Sequence, residues 1–154
     1  LRAAGAMAKL IIEHRKETVI KTSEQLKKVL SKFLPPRHEN KVLAQIYQAI
    51  RIEVNQEIEA LKEFLEQTPE VLKQGGRLSF ISYHSLEDRI VKNALRVGTE
   101  SKTPIEMPII PESDKPWLQL LTRGSEAASD DEITENSRAT SVRLRAAQRI
   151  GVAA

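Results

Sequence analysis

The chain has no cysteine. That removes disulfide frameworks, thiolate zinc sites, iron–sulfur clusters and cysteine nucleophiles together, and it fits a reducing, cytoplasmic setting. Aromatic residues are few: Trp117, Tyr47, Tyr83, Phe33, Phe64 and Phe80 are all there are in 154 residues. A binding surface built chiefly from stacked rings is therefore a poor expectation. No apolar run approaches the ~18 to 20 residues that span a bilayer, and the first residues form no charged-then-apolar export signal. A soluble, intracellular protein without membrane contact is expected. Glycine is scarce as well, and no Gly-rich turn follows a strand-like segment. Gly75-Gly76 precedes its strand and reads as a helix exit, so it is not a dinucleotide fingerprint.

What is present is ordinary for a globular segment of one domain's size: 40% hydrophobic, 29% charged, mean hydropathy -0.37. The chain opens on Leu1 and runs straight into a helical pattern through Ala4, Ala8, Ile11 and Ile12, which leads us to expect a piece of something longer. The net charge of +3 is unevenly spread. Residues 1–51 hold eleven Lys/Arg against four Asp/Glu, and the C-terminal stretch adds Arg138, Arg143, Arg145 and Arg149 with no acid after Glu135. Such asymmetry suits a phosphate-facing surface, because neutralising phosphates releases counterions whatever the base sequence; on charge alone, solvated helix faces are the plainer explanation.

Hydrophobic period and punctuation give the elements. After the opening helix, Thr22 with Gln25 forms a capping signal for a helix over 23–33. Pro35-Pro36 ends it, and Leu43, Ile46, Ile50, Val54, Ile58, Leu61 and Leu65 then predict one amphipathic helix of about seven turns. Thr68-Pro69 reads as the cap and first residue of another short helix. Residues 77–83 then alternate as a strand, Ser85 to Asp88 signal a capped helix closing at Gly98, and four prolines mark 99–116 as a loop with at most an extended piece at 105–110. A strand over 117–122, an acidic helix from Ser129 and a strand over 141–149 complete the order, the two late strands expected as an antiparallel edge pair. The class is α/β.

His14, His38 and His84 lie in separate segments, so no metal site is expected. His84 and Ser85 fall where a strand's carboxyl end meets a helix N-terminus, the place where open α/β sheets bind ligands and anions; Ser85 and Asp88 are equally what a capped helix needs. Gln48, Arg51 and Asn55 share a helix face, with Arg51 able to hold phosphate and Asn55 to hydrogen-bond a loop, or all three to orient the connection between helix and sheet.

Four strings then occur in order: Gln48-Ala49-Ile50-Arg51-Ile52-Glu53-Val54-Asn55-Gln56-Glu57, Gly75-Gly76-Arg77-Leu78, His84-Ser85-Leu86-Glu87-Asp88-Arg89-Ile90-Val91-Lys92, and Asn136-Ser137-Arg138 through Leu144-Arg145. Together they resemble the C-terminal half of the bacterial S-adenosylmethionine-dependent methyltransferases that methylate the exocyclic N4 of a cytidine in 16S ribosomal RNA, the small-subunit methyltransferase H family. The resemblance implies the C-terminal part of a Rossmann-like class I methyltransferase sheet, with residues 77–83 as its fifth strand followed by a late antiparallel pair. It implies a basic helical insertion, partly present at 1–45, and a catalytic part over 46–154. His84 and Ser85 would face the target cytidine, and Arg51, Asn55, Arg89, Arg138 and Arg143 the RNA. The cofactor would be S-adenosylmethionine, but the family's Gly-rich loop lies upstream of the resembling part, so no cofactor-binding residue is assigned and the chain alone is expected to be inactive. Ser137 and Thr140 stand where the family usually has proline and arginine, and Tyr83 where it has phenylalanine. The partner expected is 16S rRNA, with a homodimer through the open sheet edge as a further expectation. A non-catalytic basic RNA-binding or interaction module is the competing reading.

Overall fold

The computed structural model describes residues 3–101, 103, 109–111 and 114–152. Among these residues it is a mixed α/β structure of six helices and a small antiparallel sheet, divided into compact units at Leu1–Glu57 and Ile58–Ala154.

The first unit is helical: α1 Ala4–Glu17, α2 Ser23–Val29, a 3-10 turn Ser31–Phe33, and α3 Glu39–Asn55. The capping signal works as read, since the Thr22 hydroxyl accepts from the Gln25 N–H at 3.2 Å and the Gln25 amide oxygen accepts from the Thr22 N–H at 3.1 Å. Met7, Leu26, Leu30 and Ile46 form the core, and Leu30 is fully buried.

The expected long helix is two helices. α3 stops at Asn55, Gln56 is left-handed at φ 51°, and α4 runs Glu57–Val71. The apolar stripe continues across this break, so periodicity has no way to register it. The break is held instead by polar side chains on Glu57, described below. The cap expected at Thr68 is also absent, because α4 passes through Pro69. Thr68 is buried and its hydroxyl donates to the Phe64 carbonyl at 2.9 Å, a bond made inside a helix. Pro69 falls in the last turn of α4, where it removes one N–H donor from the helix.

In the second unit β1 Arg77–Ser82 leads into α5 Ser85–Thr99, followed by β2 Leu118–Leu120, β3 Glu126–Ala127, α6 Asp130–Glu135 and β4 Arg143–Arg149. Ser129 caps α6 as its sequence indicates. The late pair is antiparallel as expected, Leu118 lying opposite Arg149. β4 does more than the sequence shows: it lies between β1 and β2, pairing Ile81 with Leu144 and Ser82 with Arg143, while β3 joins its β2-side edge. Most of the extended piece expected at 105–110 lies outside the described residues.

α4 and α5 supply the layer on one sheet face, where Val91, Leu95, Leu118 and Ala147 are buried with Leu61, Leu65, Leu78, Phe80 and Trp117 around them. Gly98 is needed for this. A Cβ there would stand 2.6 Å from Leu118 Cδ1 and 3.1 Å from Trp117 Nε1, so any side chain would push β2 off α5. Arg149, last in β4, closes the C-terminus of α4 by donating to the carbonyls of Pro69, at 2.6 Å, and Leu72.

Candidate functional site

β1 ends at Ser82, which is buried, and the chain turns through Tyr83 and His84 into α5. The helix cap is His84, one residue earlier than the sequence signal at Ser85 suggests. His84 is extended (φ -144°, ψ 159°), and its Nδ1 accepts from the Glu87 N–H at 3.3 Å. The Glu87 carboxylate reaches back to accept from the N–H groups of Tyr83 at 2.9 Å and His84 at 3.3 Å. The reciprocal bonds make a capping box in which an imidazole replaces the usual hydroxyl.

This arrangement settles the ring's chemistry. With Nδ1 accepting, the proton of the neutral ring sits on Nε2. Nε2 lies 3.1 Å from Glu87 Oε1 but out of line for a hydrogen bond, so it is buried without a hydrogen-bond partner among the described residues. The Ser85 side chain is exposed at the first helical position and makes no hydrogen bond among the described residues.

One turn into α5, Asp88 meets Arg145 of β4 in a two-pronged pair: Nε to Oδ1 at 2.7 Å and Nη2 to Oδ2 at 3.0 Å, with side chains only 21% and 12% exposed. Arg145 also donates to the Gly124 carbonyl at 3.0 Å. The hydrogen bonds from Arg145 hold the Asp88 carboxyl below its ordinary range; burial opposes this, and the charges of Arg145, Arg143 and Lys92 add to it. Neither partner stood among the sequence-derived site residues. Arg145 stood out as one cation of a basic tail and as the end of a family-like string, and a register linking it to a helix 57 residues away leaves no local signal of its partner.

Of the sequence-derived residues, His84, Ser85, Arg89 and Arg143 belong to the corner where β1 ends, α5 begins and β4 starts. Arg143 is the register partner of Ser82 and lies close enough to bias Asp88. Its Nη1 donates to the Val142 carbonyl at 2.7 Å, whereas Arg89 is exposed without a partner among the described residues. Arg138 is exposed on the 3-10 turn Ser137–Ser141 that leads into β4.

Arg51 and Asn55 belong to the first unit, and both are engaged by Glu57. Arg51 Nε and Nη2 reach the two Glu57 oxygens at 2.8 and 3.0 Å, and Asn55 Nδ2 donates to Oε1 at 3.1 Å. Three residues thus converge beside the left-handed step at Gln56.

No group of three or more His, Asp or Glu among the described residues is placed to hold a metal ion, and no described helix is long and apolar enough to cross a membrane.

A strand running into a capped helix, with an antiparallel strand inserted beside it, is consistent with the C-terminal part of a methyltransferase. The chain belongs to the MraW methylase family, whose model matches residues 2–150. It is 51% identical over 150 residues to the ribosomal RNA small subunit methyltransferase H of Christiangramia forsetii, covering 97% of this chain and 49% of that protein. It is 50% identical over 151 residues to the protein of the same name from Flavobacterium johnsoniae, with the same coverage, and 42% identical over 150 residues to that of Beutenbergia cavernae, covering 96% and 45%. The chain spans about half the length of the curated relatives it matches.

Proposed function

We propose that this chain is the substrate-side half of a cytoplasmic S-adenosylmethionine-dependent methyltransferase that methylates the exocyclic N4 of a cytidine in 16S rRNA. The observation that carries the reading is the convergence of its family-like strings: His84, Ser85 and Arg89 meet Arg143, from the far end of the sequence, at the carboxyl end of β1.

The cofactor of such enzymes supplies an electrophilic methyl group, and the described residues do not fit as its cradle. Gly75 and Gly76 leave α4 before β1 begins, Gly98 is used for packing, and the β1-to-α5 turn is closed by an imidazole and a carboxylate. The 154 residues are expected neither to bind it nor to methylate RNA alone.

The residues present have roles on the nucleoside side. A cytosine amine shares its lone pair with the ring, so an acceptor holding an amino hydrogen favours its attack, and transfer needs close alignment more than a strong base. His84 has its acceptor nitrogen committed to Glu87 and fixes the turn; Ser85 Oγ, exposed beside it, is the acceptor. Arg89, Arg138 and Arg143 meet phosphate. Arg51 does so only by releasing Glu57, and Asn55 steadies the same connection.

In a complete enzyme, Ser85→Ala should lower turnover on RNA at least tenfold, the worth of one hydrogen bond at about 1.4 kcal/mol. His84→Asn should retain activity better than His84→Ala, because Asn can cap the helix. Full turnover in Ser85→Ala, with folding and cofactor binding unchanged, overturns the assignment. The interaction-module reading predicts RNA affinity without methyl transfer in that same complete protein.

A further inference from the structure

α5 has two faces of different character. Val91, Leu95 and Gly98 are buried, whereas Arg89, Lys92 and Arg96 are exposed at spacings of three and four and share one side of the helix. Arg89 and Lys92 have no hydrogen-bond or ion-pair partner among the described residues. Arg96 has only Glu100, at 3.9 Å and with side chains 60% and 59% exposed, a contact that water and salt readily dissolve.

This stripe borders a hollow. β2 is the end strand of the sheet on the side opposite β1. Leu120 follows buried Leu118 by two residues, so it faces the same side of β2 as α5 does, and it is 45% exposed. Leu95 and Leu120 floor a cavity of about 160 Å³, room for one flat ring system, and Lys92, Arg96 and Arg145 stand around it. No carboxylate lines it among the described residues. The nearest acids are engaged elsewhere: Asp88 is held by two hydrogen bonds from Arg145, and Glu87 closes the start of the helix.

A small apolar floor within a ring of cations suits an unpaired nucleotide, whose base can lie on the floor while the phosphates beside it meet the charges. A duplex keeps its bases stacked inside and would leave the floor bare. Position adds to the argument. Ser85 and Arg96 lie on the same helix, about 16 Å apart along its axis, with Arg89 and Lys92 between them. An RNA that presents its target at the start of α5 thus has a charged track for its flanking chain, leading to the hollow.

We propose that the hollow between α5 and β2 is a subsite for one unpaired nucleotide flanking the target: its base seats on Leu95 and Leu120, and Lys92 and Arg96 hold the phosphates beside it. The subsite rests on the RNA methyltransferase reading for the polymer it takes, and on nothing about which base or atom is methylated.

The test is fluorescence anisotropy of a short, labelled single-stranded RNA with the 154-residue chain, repeated across salt concentrations. Lys92→Ala combined with Arg96→Ala should weaken binding at least tenfold at low salt and lower the slope of log affinity against log salt by about 1.4, the share of two phosphate contacts on a single strand. Leu120→Ala should weaken binding about threefold with the slope unchanged, because it removes apolar contact and no charge. Arg77→Gln removes a cation exposed on the sheet face away from α5, and should leave affinity at the parent value. All four substituted side chains are exposed, so the thermal transition reported by Trp117 should stay in place. The same RNA carrying photoreactive thiouridine should cross-link within residues 92–99 or 118–124. No binding by the parent chain, full affinity in the double variant or in Leu120→Ala, tighter binding of duplex than of single strand, or cross-links confined to residues 1–57 overturns the proposal. Polyglutamate competing as well as unlabelled RNA also overturns it, since the surface would then take any polyanion. None of these readouts uses methyl transfer. A complete enzyme that leaves cytidine unmethylated does not alter them, and their failure leaves the Ser85→Ala test of the activity intact.

Discussion

Replacing Asp88 by Asn should destabilise the second unit by about 2–3 kcal/mol. The substitution keeps the shape and one acceptor but removes the charge and the second acceptor facing Arg145. Hydrogen bonds to charged groups contribute ~1.5–3 kcal/mol, and a guanidinium only 12% exposed is left without its counter-charge, which places the cost in the upper part of that range. Urea unfolding followed by Trp117 isolates the effect, since this single tryptophan packs against the second unit's core. With an m-value of about 1–1.5 kcal/mol/M for a unit of this size, the midpoint should fall by about 2 M. The cycle closed with Arg145→Met should give a coupling of about 2 kcal/mol. pH supplies an independent check. The folded-state pKa of Asp88 lies below its ordinary 3.8, so its contribution is complete above that value and is lost as pH falls through the lower, folded-state one. Parent and Asp88→Asn should differ by a constant amount near neutrality and converge in strong acid. A coupling under about 0.5 kcal/mol, the worth of a solvent-exposed pair, would refute the reasoning.

Two further substitutions test the packing in each unit. Leu30→Ala empties a fully buried site in the helical unit and should cost about 3 kcal/mol there; circular dichroism should register the loss while the Trp117 fluorescence transition keeps its midpoint, and a shared shift would show that the units unfold together. Gly98→Ala should destabilise the second unit by about 1–2 kcal/mol by the same fluorescence assay, although alanine gains ~1 kcal/mol of helix propensity, because its methyl group would sit 2.6 Å from buried Leu118. A stabilised Gly98→Ala would mean that α5 and β2 are not packed as described.

The sequence by itself determined the α/β class, the family, and every element whose cause is local. Thr22 with Gln25 and Ser129 with Glu132 announce their helices because a capping box is complete within four residues. The alternation over 77–83 announces a strand because one face of it is buried. The candidate corner was legible in part: His84 and Ser85 follow a strand and open a helix, which is readable by position, though the side chain that caps is the histidine.

Tertiary structure decided the rest. The apolar stripe continues past Gln56, whereas Arg51 and Asn55 hold Glu57 at the left-handed break there. Thr68-Pro69 has the chemistry of a helix start, but the burial of Thr68 and the closure of the helix end by Arg149 make it a helix finish. The four arginines near the C-terminus look alike in sequence. Pairing of β4 with β1 and β2 commits Arg145 to Asp88 and Arg149 to the end of α4, and sets Arg143 opposite Ser82 at the end of β1. A residue's charge is written in the sequence, whereas its partner is set by strand register across tens of residues, and partnership decides whether an arginine holds the fold together or remains available to a ligand.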